Sequence, residues 1–342
     1  MSDTVARPTT PRGGLGEAVR RIARDGALGM RREPGAVVAY LALVIVAAAW
    51  VLRTPGLTAS AVTWVLVAKV PLVMAAVGMA IVLIAKGIDL SMGPMIILAN
   101  MIVLAWTVPL HNPWLAALAA LVVTAGFGCV NGLLVGWLRL PALVVTLATG
   151  SIAAGVTLYV SPKTISGTLP ASFTNVVLGL VGPIPVVLIL AFLLPGLVWF
   201  PIRRSRAGVA LMAVGGDEAA AFVSGLSPWR LQAMAYTLSG LFAGLAGILL
   251  AMATNGGSPS ATTTFTLNAI AAAVLGGVAL TGGRGSIAGA IAGAFILTFI
   301  TILLQSFDVN PDWANVLSGG ILIVVVGVPF LVNQSRARRV RS

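Results

Sequence analysis

Ten apolar runs, each sixteen to twenty-five residues long, take up most of this 342-residue chain. They lie near 36–52, 64–85, 93–108, 114–137, 141–160, 176–200, 231–253, 266–281, 286–307 and 314–333. About 20 apolar residues in a helix cross the roughly 30 Å hydrocarbon layer of a bilayer. A helix also satisfies its own backbone hydrogen bonds there, which an open strand does not. Charged residues are 9% of the chain and apolar residues 58%, against about 25% charged in a soluble domain. The chain therefore reads as an all-α polytopic membrane protein with about ten transmembrane helices.

Charge placement orients those helices. With the N-terminus in the cytoplasm and the runs alternating, one side holds the seven arginines of the N-terminal tail, Lys86, Arg139, Arg203, Arg204, Arg206, Arg230, Arg284, Arg336, Arg338, Arg339 and Arg341. The other side holds only Arg53 and Lys163, and Lys69 falls within a run. Short cytoplasmic loops carry the excess of Lys and Arg, so both termini are expected in the cytoplasm. The expected layout is a basic cytoplasmic tail at 1–35, a membrane domain at 36–333 with a cytoplasmic segment at 201–230, and a basic tail at 334–342. The N-terminal tail has no apolar core and the first apolar run has no clear small-residue cleavage site, so no cleavable signal peptide is expected. The net charge of +12 follows from this asymmetry and does not imply nucleic acid.

Tryptophans 50, 64, 106, 114, 137, 199, 229 and 313 sit at or beside run ends, where indole favours the headgroup layer. Glycines recur at four-residue spacing at 128, 132 and 136, at 240 and 244, and at 285, 289 and 293. Such stripes let helices approach closely.

Several chemistries are excluded. A single histidine, His111, and a single cysteine, Cys129, leave no metal cluster and no intramolecular disulfide. The three lysines are Lys69, Lys86 and Lys163, and none lies in a GxxxxGK[ST] loop. ATP-driven work would therefore need a separate ATPase chain.

Among nine acidic residues, Asp89 is the only one between Glu33 and Asp217. It lies between two apolar runs in Gly87-Ile88-Asp89-Leu90-Ser91-Met92-Gly93. A carboxylate there is costly near lipid and must face protein, water or headgroups. Two compatible readings follow. Asp89 or Ser91 caps the third run, with Pro94 in its first turn, or the loop breaks a membrane segment and helps line a translocation path. Lys86 stands three residues before Asp89 as a pairing candidate. Asn100, Asn131 and Thr146 join Asp89 and Ser91 as path candidates, since a neutral polyol needs uncharged donors and acceptors. Interhelical hydrogen bonding is the alternative role for Asn131 and Thr146. In the 201–230 segment, Asp217 and Glu218 open a short helix that Gly225 stops. It reads either as a connector on the membrane surface or as an element that a motor subunit pushes.

Taken in order, five pieces resemble the ribose/xylose/galactose-type permease family of bacterial ABC importers, over roughly residues 60–330. They are Gly87-Ile88-Asp89-Leu90-Ser91 with Gly93, and Asn131-Gly132-Leu133-Leu134 followed by Leu140-Pro141-Ala142-Leu143-Val144-Val145-Thr146-Leu147. Next come Gly215-Gly216 with Glu218-Ala219-Ala220 and Ser224-Gly225, then Tyr236 with Ser239-Gly240. Last are Ala269-Ile270-Ala271-Ala272, Leu275-Gly276-Gly277 and Gly282-Gly283 with Gly285-Ser286. Branched-chain amino-acid permeases carry a different sequence in place of the Ile-Asp-Leu-Ser loop. The chain departs from the resembled pattern at Val209 and Ala154, where arginine is usual or frequent, and at Asp217, where asparagine is usual.

The resemblance implies a permease subunit of the bacterial inner membrane that imports a monosaccharide or sugar-like solute. It implies a second permease subunit, identical or a paralogue, a cytoplasmic ABC ATPase and an extracytoplasmic solute-binding protein. ATP and Mg would be used by the ATPase, with no cofactor on this chain. Asp217, Glu218, Ala219, Ala220 and Gly225 would form the coupling helix that meets the ATPase. An ABC permease for a nucleoside or amino acid is one alternative. An ion-coupled transporter is another, and only Asp89 and Lys69 would serve it. A membrane enzyme would need a nucleophile–base pair that the chain lacks.

Overall fold

A computed structural model describes residues 34–307, apart from 55, 57, 183 and 261–263, together with helical positions 313, 316, 319 and 320. Most of the expected tenth run, residues 1–33 of the N-terminal tail and the whole C-terminal tail lie outside the described residues.

Among the described residues, eight helices are long and apolar enough to cross a membrane: α1 (Pro34–Arg53), α2 (Ala59–Ile84), α3 (Met92–Leu110), α4 (Pro113–Gly136), α5 (Ala142–Val160), α7 (Val186–Arg204), α10 (Pro228–Thr254) and α12 (Ile287–Gln305). Between them lie α6 (Ala171–Leu178), α8 (Arg206–Gly216), α9 (Glu218–Val223) and α11 (Thr264–Leu275). Two-residue strands form two small ladders. β1 (Ile165–Ser166) pairs antiparallel with β4 (Gly256–Gly257), and β2 (Leu180–Val181) with β3 (Ile184–Pro185). The protein is an all-α polytopic membrane protein.

The core runs along α2, α3 and α10. α2 is buried almost throughout, including Val70, Met74, Met79 and Ile81, and α3 buries Met95, Leu98 and Ile102. α1 sits at the periphery and leaves Val38, Leu41, Val44 and Ile45 exposed. α4 and α10 meet through their glycines. A Cβ at Gly128, Gly132 or Gly136 would collide with Tyr236, Ala233 or Trp229 of α10. A Cβ at Gly240 or Gly244 would collide with Thr124 of α4. Gly289 and Gly293 of α12 seat against Gly276 and Ala272 in the same way. The stripes thus act as the close seams expected of them, except that Gly285 precedes α12 and belongs to a loop.

Three expectations need correction. The run at 176–200 is not one helix. Gly179 ends α6, a turn at Gly182 (φ +60°) forms the β2–β3 hairpin, and α7 begins only after Pro185. The run at 266–281 is the twelve-residue α11, about 18 Å long at 1.5 Å per residue, so it does not span alone. It ends because Gly277 turns left-handed at φ +85°. The 201–230 segment holds two helices rather than one, since Ser205 accepts from Ala207 N–H and starts α8.

Loop contacts fix two ends of the bundle. At one, Gly167 N–H donates to Asn255 O, Leu169 N–H to Asn255 Oδ1, and Thr168 to Leu104 O. At the other, Gly283 N–H donates to Ile84 O, and Gly35 packs on Gly277. Lys86, Arg203, Arg204, Arg206 and Arg284 belong to segments at this second end. Arg204 lies 4.0 Å from the Phe200 ring centroid and Arg230 5.2 Å from that of Trp229. Trp64, Trp114 and Trp137 are exposed at helix ends as a belt requires, but Trp50 and Trp199 are buried. Trp50 packs on Phe299, with ring centroids 5.3 Å apart.

Candidate functional site

The end of α2 sets up the Asp89 loop. Lys86 takes the left-handed conformation (φ +63°), its N–H donates to Leu83 O, and Gly87 N–H donates to Val82 O. This paired closure reverses the chain. Glycine is required next, because a Cβ at Gly87 would come within 2.5 Å of the Tyr236 hydroxyl.

The reversal carries Asp89 into the protein, where it is fully buried. Its Oδ1 accepts from Ser91 N–H at 3.0 Å and from the Ser91 hydroxyl. Its Oδ2 accepts from the Ser239 hydroxyl of α10 at 2.7 Å. Asn131 of α4 donates its Nδ2–H to Ser91 Oγ at 2.8 Å. Tyr236 of α10 donates to Ile88 O at 3.3 Å, and Thr146 of α5 reaches the same carbonyl at 3.4 Å while bonding Ala142 O at 2.8 Å. Three helices therefore grip one loop through a carboxylate that neutral donors satisfy, which is what a buried charge needs.

Two expectations change here. Lys86 is exposed and does not supply Asp89 with its counter-charge, because hydroxyl and amide donors do that work. Ser91 occupies the N-cap position of α3, but its side chain does not cap the helix. The hydroxyl is committed to Asp89. Instead, Gly93 N–H in the first turn donates to Thr266 Oγ1 of α11 at 2.9 Å.

Of the path candidates, Asp89, Ser91, Asn131 and Thr146 gather in this cluster, and all are buried. Asn100 stands apart, nine residues beyond Ser91 on α3, or about 13 Å along the axis. It is buried against Gly247 and Gly257. Asn100 Nδ2 and Asn131 Oδ1 have no hydrogen-bond partner. Sequence reasoning left Ser239 and Tyr236 out of the site. The signal was their three-residue spacing, which puts both on one face of α10.

The second cluster lies at the basic end. Asp217 caps α9 by accepting from Ala220 N–H at 3.0 Å. Gly225 at φ +81° closes it, with Gly225 N–H donating to Phe222 O and Leu226 N–H to Ala221 O. Asp217, Glu218, Ala219, Ala220 and Gly225 are all exposed, and Phe222 and Val223 are 64% and 86% exposed. A groove of about 630 Å³ beside α9 is lined by Arg139, Glu218, Phe222 and Gln232 among others. Just before α9, Gly215 presses on the Ile84 carbonyl, where a Cβ would overlap it. Gly283 donates to that same carbonyl at 2.9 Å. α9 thus begins three residues after a backbone contact with the segment that leads into the Asp89 loop. Among the described residues, no three His, Cys, Asp or Glu side chains come together to hold a metal.

A sequence profile of the family described as branched-chain amino acid transport system / permease component matches residues 61–326. The chain belongs to that family. Its relatives include the D-allose transport system permease protein of Escherichia coli (strain K12), 30% identical over 81% of this chain and 86% of the relative. The ribose import permease protein of Bacillus subtilis (strain 168) is 33% identical over 73% of this chain and 79% of the relative. The autoinducer 2 import system permease protein of Enterobacter sp. (strain 638) is 33% identical over 91% and 90%. No solved structure matches.

Proposed function

We propose that this chain is the membrane-spanning permease subunit of an ATP-binding cassette importer for a monosaccharide or sugar-like solute, resident in the bacterial inner membrane with both termini in the cytoplasm. The observation that carries the reading is the 30–33% identity to D-allose and ribose permease proteins over 73–81% of the chain. A separate cytoplasmic ATPase uses the ATP and Mg. An extracytoplasmic binding protein delivers the solute, and a second permease subunit completes the path.

The geometry gives this reading a mechanism. The exposed apolar tip of α9, Phe222 and Val223, suits burial in a partner. Motion of α8 and α9 reaches the end of α2 through the Gly215–Ile84 contact. That contact is backbone against backbone, so no side-chain rotamer absorbs the displacement. The Asp89 cluster then passes it to α3, α4 and α10 as a unit. ATP binding elsewhere shifts two packings of the same helices. Asn100 Nδ2 and Asn131 Oδ1, unpartnered in this state, are a donor and an acceptor for solute hydroxyls in a state that opens a path to them.

The test is isolation from native membranes in mild detergent, with identification of what accompanies the chain and an assay of ATP hydrolysis. A stoichiometric Walker A subunit with ATPase activity is expected. The binding protein found with it is then screened with D-allose, ribose and autoinducer 2. A chain that purifies alone, without ATPase, would overturn the reading. Glu218→Lys is expected to abolish uptake and weaken ATPase retention at unchanged membrane abundance; unaltered retention and uptake would remove α9 from the coupling role.

A further inference from the structure

Two contacts with α3 measure how deep the segment between α10 and α11 runs. After the left-handed Asn255 that ends α10, Gly257 lies against Asn100, where a Cβ would strike Asn100 Oδ1. Further on, Thr266 in the first turn of α11 accepts from Gly93 N–H at 2.9 Å. Gly93 and Asn100 are seven residues apart on α3, or about 10 Å along its axis. Both belong to a helix long and apolar enough to cross the membrane. A second measure agrees. The twelve-residue α11 ends just before Gly277, which packs on Gly35 at the basic end, so Thr264 stands about 18 Å from that end. The hydrocarbon layer is roughly 30 Å thick. The chain between Gly257 and Thr266 therefore passes beside the interior of the membrane.

At that depth the described part of the segment is neither helical nor apolar. Pro259 and Ser260 form a turn, and helix resumes only at Thr264. Ser260 and Thr264 are exposed, and Ser258 and Asn268 are half-buried. Asn268 stands one turn beyond Thr264 on the same face of α11. Leu267 shares that side at 57% exposure. The outer stripe of α4 is different, since Leu115, Leu118, Val122 and Val130 meet lipid with no polar side chain. Non-helical backbone at membrane depth is stable inside protein or against water, and not against lipid. The exposure of Ser260 and Thr264 rules out burial within this chain, and their hydroxyls suit water.

We propose that Ser258, Ser260, Thr264 and Asn268 form one wall of the hydrated passage through which solute moves, and that their side chains bind a neutral polyhydroxylated solute. Three hydroxyls and an amide both donate and accept, and none carries charge. Each hydroxyl of a polyol does the same. Interrupted membrane helices place such groups near the midplane, where solute sites of transporters form. The wall also gives Asn100 a place. Its unpartnered Nδ2 belongs to the side chain that Gly257 covers, so displacement of the segment uncovers it. The chemistry of the solute rests on the importer reading; the hydration of the wall does not.

The experiment places single cysteines in the full chain carrying Cys129→Ala and measures, in native membranes, their reaction with a charged methanethiosulfonate. Ser260→Cys and Thr264→Cys are expected to react at least about tenfold faster than Val122→Cys on the outer stripe of α4, because the thiolate is the reactive form and apolar surroundings suppress it. Should Thr264→Cys not reach the membrane, Ser258→Cys takes its place. The second readout is uptake of whichever of D-allose, ribose or autoinducer 2 the binding protein retains. Thr264→Val and Asn268→Leu are each expected to raise KM about three- to tenfold, with maximal rate and membrane abundance little changed. Reaction no faster than that of Val122→Cys would mean that lipid or a second subunit covers the segment, and would overturn the proposal. Fast reaction with KM unchanged in both variants would overturn solute binding by this wall. Fast reaction in a chain that purifies without an ATPase would uphold the hydrated wall and remove the importer reading alone.

Discussion

The α2–α3 and α11–α12 junctions solve one problem in two ways. Each turns the chain sharply at the basic end and starts a membrane helix at a serine. The first is tied by side chains: Asp89, Ser91, Asn131 and Ser239 make a chain of hydrogen bonds across three helices. The second is seated mainly by backbone, with Gly282 and Gly283 against Lys86, Gly215 and Gly216. Hydrogen bonds to a buried carboxylate fix position and direction, because every unmade bond carries a desolvation cost. The second junction is tied to the end of α2 by the single bond from Gly283 N–H to Ile84 O, beside close glycine contacts. The first junction is therefore the more heavily tied, and the second follows α8 and α9 through fewer bonds.

Asp89→Asn gives the largest break of this contrast. The amide puts a donor where only hydroxyl and N–H donors converge, and the charge-assisted bonds disappear. Uptake is expected to fall more than tenfold while membrane abundance stays within about twofold, each lost charged bond being worth about 1.5–3 kcal/mol. Equal falls in abundance and uptake would make Asp89 a folding residue only. Ser239→Ala follows, removing one donor and leaving Asp89 with the two from Ser91. A loss of about 1–3 kcal/mol is expected, read as a lower unfolding midpoint in detergent. An unchanged midpoint would mean that α10 is held by its glycine seam alone.

The second junction should respond the other way. Ser286→Asp supplies α12 with the anion that α3 already has, and is expected to stabilise the purified protein by about 0.5–1 kcal/mol, read as a higher unfolding midpoint. Destabilisation would show that the two junctions are not comparable. Ser286→Ala is the smallest change. Among the described residues its hydroxyl has no partner, so the effect on stability is expected within about 0.5 kcal/mol. A larger loss would expose a protein contact at Ser286 that the comparison lacks.

The membrane class, the long helices and the glycine seams are legible in composition and spacing because they are local properties. Asp89 is legible for the same reason: it is a lone acid in an apolar region. Its partner Ser239 lies 150 residues away, and only the fold brings them together. The run at 176–200 was misread because hydropathy averages over Gly179 and Gly182, whereas the backbone breaks at each. α8 was hidden in a segment read as polar, although Leu211 and Val214 are buried. The end of α11 depends on the left-handed Gly277, a conformation that apolar length does not reveal.

The α4–α10 seam also imposes an order on biosynthesis. About one hundred residues separate Gly128 from Pro228, which a ribosome adds in about 5 to 20 seconds. For that interval the glycine face of α4 has no mate, and Asp89 has Ser91 and Asn131 nearby but not Ser239. The newly inserted half must therefore be held open, by lipid or by the insertion machinery, until α10 arrives to close it.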